Sequence, residues 1–356
     1  MEKEFDLVPV QSLPLEKVLE VLILALGRGN EAYKKSEALW RWKHLKSPFG
    51  PSYAFAALDP DTRQIASVRL LMYWNFVNLS GETITTARAV DVSTHPDYRR
   101  MGLFSILTKK ALEDLTQQGV SVIYATPKLK GKSIGGYLKL DFTMIDPWPV
   151  YIKVLHPLSF LKGITIGRKR STIQFVPGWD DVFDDDVLSF NELLNKYPEQ
   201  ELGVFLDEAD QNRKAISGWR IKKDYKFISW RYGEHPNVDF GFVPLAENGK
   251  LTALGIIRRN VRYEMIEVVI SELLFLDSKD SLGEKLLKKI KNSIKADYLI
   301  AHYNKNTSEL SALKRSKFIK APGQDIVFLI KELAAKRENF VSHVNWNLSL
   351  GDIELF

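Results

Sequence analysis

The chain has 356 residues, of which 45% are hydrophobic and 26% are charged, and its formal net charge is +6. This length allows two domains with separate cores, and the moderate basic excess suits anionic ligands without indicating nucleic-acid binding. The chain contains no cysteine, which excludes disulfides, thiolate nucleophiles and thiolate-bound metals.

The N-terminal region does not resemble a leader sequence. Its first ten residues, MEKEFDLVPV, are charged, and no apolar stretch follows a basic start. The longest apolar runs, such as Val18 to Leu26, are interrupted by a charge and are too short to span a bilayer. We therefore expect a cytoplasmic enzyme that acts without a membrane or nucleic-acid partner.

Three strands and one helix are predicted in the first part of the chain. Strands over Tyr53–Leu58 and Ile65–Met72 follow the aromatic segment Trp40–His44, and a β-branched strand covers Thr86–Ser93. Apolar residues then recur at helical spacing and end before a glycine. They are Leu103, Ile106, Leu107, Ala111 and Leu115, with Gly119 after them.

The turn Thr94–Phe104 connects the third strand to this helix. A strand that enters a helix through Arg99, Arg100 and Gly102 gathers free backbone N–H groups and two full positive charges around one point. Gly102 has no Cβ that would keep an anion away from the backbone. The turn is therefore suited to a phosphate or a pyrophosphate.

The order of these residues resembles the acyl-CoA-binding signature of the GNAT (Gcn5-related N-acetyltransferase) superfamily, Arg/Gln-x-x-Gly-x-Gly/Ala. Arg99 and Gly102 match, whereas Phe104 stands where a small residue is usual. After a strand over Val120–Thr126, the segment Ser133–Phe142 is similar to the GNAT stretch that carries a Tyr-x-Lys-Leu pattern. A phosphate-binding turn of another α/β fold is the alternative.

The resemblance implies acetyl-CoA, or another acyl-CoA, as co-substrate and no metal. The backbone of the signature strand would hold the pantetheine arm, and the turn would hold the pyrophosphate. The expected cofactor-binding residues are Val92, Thr94, Arg99, Arg100, Met101, Gly102, Leu103, Phe104 and Ser133. Tyr137 matches the tyrosine that protonates the leaving thiolate in many relatives.

The general base is predicted less directly. Asp91 is the carboxylate in the signature strand and is our candidate, although strand alternation points it away from Val90 and Val92. His44 and Asp352 are further candidates, whereas His95 fits a His-Pro turn better than a base. Arg88 stands where some histone-modifying relatives have a glutamate.

The second part of the chain repeats the first in outline. Trp230-Arg231-Tyr232 resembles the earlier Trp40-Arg41-Trp42, and Val268–Leu276, Leu282–Ile294 and Ala296–Tyr303 repeat the strand, helix and strand around the turn. Asp280 takes the place of Arg99 and Leu313 that of Tyr137, so the second copy would lack the chemistry. It would instead be a scaffold or bind the acceptor.

The predicted fold class is α+β, with two tandem GNAT-like domains, each a mixed, mostly antiparallel central sheet flanked by helices. We place the catalytic domain at residues 1–155, a linker or insertion at 156–215, the degenerate domain at 216–335 and a C-terminal tail at 336–356. The oligomeric state is not predicted.

The expected activity is N-acyl transfer, with acetyl favoured, to a primary amine of a small molecule such as an amino sugar. Trp40–His44, Arg88–Asp91 and Gly136–Leu140 together resemble a bacterial GNAT subfamily associated with surface-polysaccharide biosynthesis. That subfamily usually has Asn-Thr-Pro-Asn after the second strand, whereas Ala125 and Lys128 replace both asparagines here.

Three alternatives stay open at this stage. One is an aminoglycoside acetyltransferase of the enhanced-intracellular-survival type, which shares the Arg-Arg-x-Gly turn and tandem GNAT domains. Another is an aminoacyl-tRNA-dependent peptidoglycan ligase, which the CoA-type turn argues against. The third is a regulator that binds acyl-CoA without catalysis, an interpretation favoured by Phe104 and opposed by Tyr137.

Overall fold

The computed structural model describes two compact units. The described residues are 3–26, 35–127, 131, 133–167, 173–174, 181–213, 218–276, 281–323, 325–333, 340 and 346–353. Unit 1 comprises Met1–Phe76, Thr83–Pro147 and Ile326–Ser342. Unit 2 comprises Val77–Glu82, Trp148–Asp325 and His343–Phe356.

Unit 1 contributes seven strands to its sheet, in the order β1-β2-β3-β4-β5-β15-β6, numbered along the chain. They are β1 (Asp6–Pro9), β2 (Tyr53–Leu58), β3 (Ile65–Val77), β4 (Thr83–Thr94), β5 (Val122–Ala125), β6 (Thr143–Trp148) and β15 (Ile326–Glu332). The pairs β1–β2, β2–β3 and β5–β15 are antiparallel, and β4–β5 is parallel. A parallel pair needs a crossover, which the predicted helix supplies.

Four α-helices accompany this sheet in the described part of unit 1. They are α1 (Leu15–Leu26), α2 (Glu37–Trp40), α3 (Leu103–Gln117) and α4 (Ser133–Leu138). The buried residues of α3 are Leu103, Leu107, Thr108, Ala111 and Leu115, whose spacing places them on one face. This face packs on β2 and on the residues of β4 and β5 that form the core, and it positions the N-terminus of α3 beside β4.

Unit 2 has a second mixed sheet, in the order β10-β11-β12-β13-β7-β14, with β8 paired to β11. Its strands are β7 (Tyr151–Val154), β8 (Ile173–Gln174), β10 (Gly241–Glu247), β11 (Lys250–Arg262), β12 (Met265–Phe275), β13 (Tyr298–Ala301) and β14 (Ile319–Lys320). Only β12–β13 is parallel among these pairs. Two short strands, β9 (Trp219–Arg220) and β16 (Trp346–Asn347), pair in parallel with each other.

The helices of unit 2 are α5 (Pro157–Gly167), α6 (Phe190–Lys196), α7 (Glu199–Arg213), α8 (Tyr225–Ile228), α9 (Ser281–Asn292), α10 (Ser308–Arg315) and α11 (Leu350–Ile353). The face of α9 that carries Leu286 and Ile290 enters a core shared with β11, β12 and β13. Both sheets are mixed, mostly antiparallel and flanked by helices, so the predicted α+β class with two such sheets is confirmed.

Each sheet contains one strand that directly follows, along the chain, the strands of the other sheet. Strand β7 directly follows β6 along the chain but pairs with β13 and β14. Strand β15 follows β14 but lies between β5 and β6. Strand β7, which follows the first sequence repeat, thus belongs to unit 2, and β15, which follows the second repeat, belongs to unit 1; we call this arrangement the strand exchange. The boundaries predicted at residues 155, 215 and 335 divide the chain by its repeat and stay a prediction.

The two copies share an unusual local element. In each, a short helix with a side-chain N-cap, Ser36 for α2 and Asp224 for α8, runs directly into a π-helical turn, Arg41–Leu45 or Ser229–Gly233. These caps align Trp42 with Trp230. The sequence motif had instead paired Trp40 with Trp230. The Trp-Arg-aromatic pattern of the first copy begins two residues earlier, relative to the helix cap, than that of the second copy.

Candidate active site

The parallel strands β4 and β5 pair over only part of the length of β4. Their pairing runs from Thr86–Val122 to Arg88–Tyr124 and then stops, although β4 continues to Thr94. Just beyond this point Asp91 has a φ of +45°, so the strand bulges and changes direction. The backbone of β4 after Arg88 therefore has no strand pairing on the β5 side among the described residues, and we call this unpaired side the gap.

The opposite edge of β4 is fixed by β3. The Ser67 hydroxyl donates to the carbonyl of Ser93 at 2.7 Å and lies 3.0 Å from the Thr94 hydroxyl. The backbone N–H of His95 donates to Ala66 at 2.9 Å. Because β3 occupies this edge, a ligand could reach the backbone of Val92 and Thr94 only from the gap.

The predicted anion-binding turn follows directly. Pro96–Tyr98 forms a 3₁₀ turn, in which the His95 ring accepts from the backbone N–H of Asp97 at 3.3 Å, so His95 is a cap in this turn. The buried Tyr98 hydroxyl donates to Asp59 at 2.8 Å, and the pKa of Asp59 is well below its usual range because of its hydrogen bond with Lys3. These contacts anchor the start of the turn.

The end of the turn is open. Arg100 and Gly102 have φ angles of +71° and +73°, and α3 begins at Leu103 without a side-chain cap from Gly102. The first N–H groups of a helix have no partner within it, so those of Leu103 and Phe104 face outward. A Cβ on Gly102 would meet nothing within 4 Å. With Arg99, Arg100 and Met101 exposed, the turn has space and positive charge for a phosphate.

Tyr137 lies on α4, which begins at the half-buried Ser133. The tyrosine is 3% exposed, and its ring packs edge-on against Phe104 at 5.2 Å and against Phe142 at 4.9 Å between centroids. Its hydroxyl accepts a hydrogen bond from Nη1 of Arg69 at 3.1 Å. The structure thus brings together Tyr137, the first turn of α3 and a cation.

Arg69 was not predicted as a site residue. It lies on β3 with 1% of its surface exposed, and its Cζ is 5.3 Å from the ring centroids of both Phe104 and Tyr137. A signal was present in the sequence, because Arg69 is the one charge within the apolar run Ile65–Phe76. A charged residue in a buried strand indicates a specific partner.

Phe104 fills the position where the family usually has a small residue. A Cβ on Gly136 would lie 2.7 Å from Cε1 of Phe104. The absence of a side chain at Gly136 therefore gives the Phe104 ring its space between α3 and α4. The two positions compensate each other in volume.

Asp91 is surrounded by cations. Its carboxylate forms 2.7 Å ion pairs with Lys35 and Lys43, and Nε2 of His44 lies 3.4 Å away. Burial opposes ionisation, but the charges of Lys43 and Lys35 outweigh it and hold the pKa of Asp91 well below its usual range. Burial lowers the pKa of Lys43 to about 8 and that of His44 to about 4.

This cluster lies against α1 and α2, with Leu19, Leu22, Leu39 and Trp40 around it. Tyr137 instead packs with residues of α3, so the structure does not bring the two predicted catalytic residues together. Asp352, another base candidate, is in unit 2, where it is 2% exposed and pairs with Lys223. Arg88 donates to the Thr126 hydroxyl at 2.7 Å.

The equivalent region of unit 2 is closed. Strands β12 and β13 pair from Glu267–Tyr298 to Val269–Ile300, and within the described ranges β12 then continues without pairing on that side, as β4 does. The Tyr303 hydroxyl enters this gap and accepts the backbone N–H of Leu273, the counterpart of Val92, at 2.6 Å. The backbone group that would face a ligand in unit 1 is therefore already bonded in unit 2.

The turn before α9 also differs. Helix α9 already includes Ser281–Gly283, where unit 1 has the open turn ending at Gly102. A Cβ on Gly283 would lie 2.7 Å from the side chain of Ala312, so this glycine serves helix packing. Asp280 and Lys128, both singled out from the sequence, lie outside the described residues.

A carboxylate is nevertheless kept at the bulge of unit 2. Glu272, the counterpart of Asp91, pairs with Lys223 at 2.6 Å and accepts the Tyr232 hydroxyl at 2.6 Å. Burial raises the pKa of Glu272. Both units thus have a buried carboxylate that contacts a lysine and a side chain of the π-helical turn. Only unit 1 combines it with an open anion-binding turn among the described residues.

Other kinds of site have no candidate in the described part of the chain. In those ranges, no group of histidine, aspartate and glutamate side chains is arranged to hold a metal ion. No helix among the described residues is long and apolar enough to cross a membrane.

An open cavity of about 510 Å³, lined in part by Asp114 and Gln118, lies at the end of α3 opposite Gly102.

Comparison with known proteins identifies one matching family and several solved structures of similar fold. The family described as Acetyltransferase (GNAT) domain matches residues 12–145. A GCN5-related N-acetyltransferase from Anabaena variabilis has a TM-score of 0.62 and 11% identity, over 93% of this chain and 73% of that one. No protein of curated function matches the sequence.

Two further solved structures have the same fold. A probable N-acyltransferase from Enterococcus faecalis has a TM-score of 0.54 and 15% identity, over 93% of this chain and 72% of that one. Saccharomyces cerevisiae N-myristoyltransferase, solved with bound myristoyl-CoA and inhibitors, has a TM-score of 0.58 and 11% identity, over 93% of this chain and 81% of that one. Residues 12–145 therefore match a GNAT acetyltransferase domain, and this match together with the shared fold supports an acyltransferase as the enzyme class.

Proposed function

We propose that unit 1 binds an acyl-CoA between β4, β5 and the N-terminus of α3, and transfers its acyl group to a primary amine. The observation that carries this proposal is the open turn at Gly102 beside the gap that begins after Arg88. An anion site and an unpaired strand edge then lie next to each other, as a ligand with a pyrophosphate and an amide-containing arm requires.

The chain's own residues have distinct tasks in this proposal. Backbone N–H groups from Arg100 to Phe104 bind the pyrophosphate, with the side-chain charges of Arg99 and Arg100 nearby; the backbone N–H of Arg99 already donates to Pro96. The backbone of Val92 and Thr94 holds the pantetheine arm, and Ser133 lies at the start of α4 on the same side as Tyr137. A backbone N–H of β4 is suited to polarise the thioester carbonyl.

Tyr137 is the proposed proton donor to the leaving sulfur, because its hydroxyl is held by Arg69 beside the first turn of α3. The surroundings of Asp91 do not favour it as the base. A carboxylate that two lysines already neutralise, and whose pKa is well below its usual range, has little affinity for a proton. We propose that Asp91 instead fixes the bulge in β4, as Glu272 does in unit 2.

The proposed donor is acetyl-CoA, and the proposed acceptor is a small molecule such as an amino sugar. The rings of Phe104, Tyr137 and Phe142 pack together beside the turn, which favours a short acyl group over a long one. The acceptor class rests on the sequence resemblance to the polysaccharide-associated subfamily.

A second candidate is an acyl-CoA-binding protein without turnover. Phe104 supports it, because its ring occupies space between α3 and α4 that the family usually leaves to a small residue. Binding of acetyl-CoA combined with no thiol release in the presence of any amine would favour this candidate.

The test is calorimetric titration with acetyl-CoA of the wild type, Gly102→Glu and Gly119→Glu. Both glycines have a left-handed φ, +73° and +77°, and a Cβ added to either would meet no atom within 4 Å. The two variants therefore carry the same charge and similar backbone strain of about 1 kcal/mol at opposite ends of α3.

We expect Gly102→Glu to lose binding and Gly119→Glu to keep it, because only the first places a negative charge in the anion site. Equal loss in both variants, or no binding by the wild type, would contradict the proposed site. A positive result justifies measuring CoA release with a panel of amino sugars.

A further inference from the structure

The starting observation is a buried cation at the phenol oxygen of Tyr137. Arg69 is 1% exposed and Tyr137 is 3% exposed, and the 3.1 Å hydrogen bond joins Nη1 to the hydroxyl. A guanidinium remains charged in a protein, and burying it without an anion is costly. The burial of a charged Arg69 side chain at this position indicates a functional role in addition to packing.

Arg69 is only partly satisfied by its surroundings. Its Nε and Nη2 have no hydrogen-bond partner among the described residues. In the same part of the chain no carboxylate forms an ion pair with it, and its neighbours are the rings of Phe104 and Tyr137. Buried donors without acceptors are rare, so an acceptor brought by a ligand is the simplest completion of this group.

The hydrogen bond also fixes the direction of the Tyr137 proton. A phenol hydroxyl has one hydrogen to donate and two lone pairs that accept, whereas a guanidinium can only donate. Arg69 therefore occupies a lone pair and leaves the hydrogen free. No acceptor for that hydrogen is found in the described ranges of unit 1.

We propose that Arg69 is a positioning residue, which turns the Tyr137 hydrogen toward the sulfur of the acyl donor and stabilises the phenolate left after proton transfer. This inference rests on the proposed function, and it concerns how the leaving group departs. The pairing of a β3 arginine with the α4 tyrosine is the feature that carries it.

Atoms and protons balance in the proposed step. The amine nitrogen forms a bond to the thioester carbon, and the carbon–sulfur bond then breaks with its electron pair on sulfur. Sulfur takes the Tyr137 hydrogen. The phenolate beside Arg69 regains a proton that the nitrogen has released to solvent, while Arg69 keeps all of its protons.

The test compares the binding of CoA and desulfo-CoA, which lacks the sulfur acceptor, by calorimetry at pH 8.5. About half of a free thiol is ionised at this pH, so CoA then resembles the departing thiolate. We expect the wild type to bind CoA roughly tenfold more tightly than desulfo-CoA, the scale of one hydrogen bond to a charged acceptor.

Tyr137→Phe and Arg69→Met should both abolish this preference and leave the affinity for desulfo-CoA unchanged. Arg69→Lys keeps the charge and should keep part of the preference. A merely structural role of Arg69 would lower the affinity for both ligands together. Desulfo-CoA binding therefore also reports whether each variant is folded.

Three results would overturn the inference. The wild type could bind both ligands equally, Arg69→Met could keep the preference that Tyr137→Phe loses, or the double variant could lose more preference than either single one. If Arg69→Met does not fold, Arg69→Gln decides, since a folded Gln variant with full preference removes any need for the charge. Failure of the wild type to bind either ligand would refute the proposed function instead.

Discussion

Each unit contains a buried histidine side chain whose pKa differs from that of an exposed histidine. His44 is 3% exposed and His302 is fully buried, with Nδ1 of His302 lying 2.8 Å from the carbonyl of Pro149. Burial lowers the pKa of each to about 4. Both imidazoles therefore stay neutral in the folded protein at pH values where an unfolded chain would protonate them.

We expect the free energy of unfolding to fall as pH decreases from 6.5 to 4. The unfolded state binds a proton at each histidine in this window and the folded state does not, so the loss reaches up to about 3 kcal/mol per residue. Urea denaturation at several pH values measures it. His302→Gln should flatten the pH dependence, and His156→Gln, at an exposed position, should leave it as in the wild type.

Sequence reasoning reached the residues of the turn but not their partners. Arg99 and Gly102 are adjacent in a local pattern, so spacing alone pointed to an open helix N-terminus. Arg69 and Tyr137 are joined only through the packing of β3 against α4, which no local pattern encodes. The ion pairs of Asp91 likewise come from the π-helical turn Arg41–Leu45 and from the segment before α2, and the bulge changes where strand alternation would point the side chain.

The unpaired sides of β4 and β12 differ because a side chain, that of Tyr303, is inserted beside β12. In unit 2 the Tyr303 hydroxyl caps the backbone N–H of Leu273, whereas the gap of unit 1 is available for a ligand. Under the proposed function, one copy of the fold has a cofactor site at this place, whereas the other copy uses the same place for stability.

Tyr303→Phe should lower the free energy of unfolding by about 1–3 kcal/mol, because it leaves a buried N–H without an acceptor. Acetyl-CoA binding should not change, since Tyr303 belongs to unit 2. Thermal denaturation and calorimetry measure the two quantities. Tyr73→Phe, which removes a more exposed hydroxyl contact with Gln118, is the matched control and should cost less.

The elements themselves were largely predictable, since β2, β3, β4, α3 and β5 all overlap the predicted segments, although β3 and β4 extend beyond them. The π-helical turns were not, because their i→i+5 hydrogen bonds leave no mark in the hydrophobic pattern. Nor was the pairing of β15 with β5, because an apolar strand such as Ile326–Glu332 fits equally well into either sheet. Register and partner are decided by tertiary packing.

The exchange of β7 and β15 governs how the whole chain can be divided. A fragment of residues 1–155 has β5 and β6 but lacks the strand between them. We expect it to be insoluble or to unfold without cooperativity. Residues 1–147 joined by a glycine-serine linker to 326–342 contain every segment of unit 1 and, in addition, only the short excursion at 77–82.

Circular dichroism during urea denaturation distinguishes the two fragments. The joined fragment should give a cooperative transition, and the 1–155 fragment should not, because its sheet would end at an unpaired β5. A sharp transition of the 1–155 fragment would show that β15 is dispensable for the fold of unit 1.

The same strand exchange sets a delay during synthesis. After β5 leaves the ribosome, roughly 200 residues must be translated before β15 is available, which takes roughly 10–40 s at the usual elongation rates. The nascent Val122–Ala125 strand stays without its central neighbour for that time. An apolar strand edge that waits this long attracts other nascent chains, so the yield of the native protein should depend on chaperones that hold the first half until the second arrives.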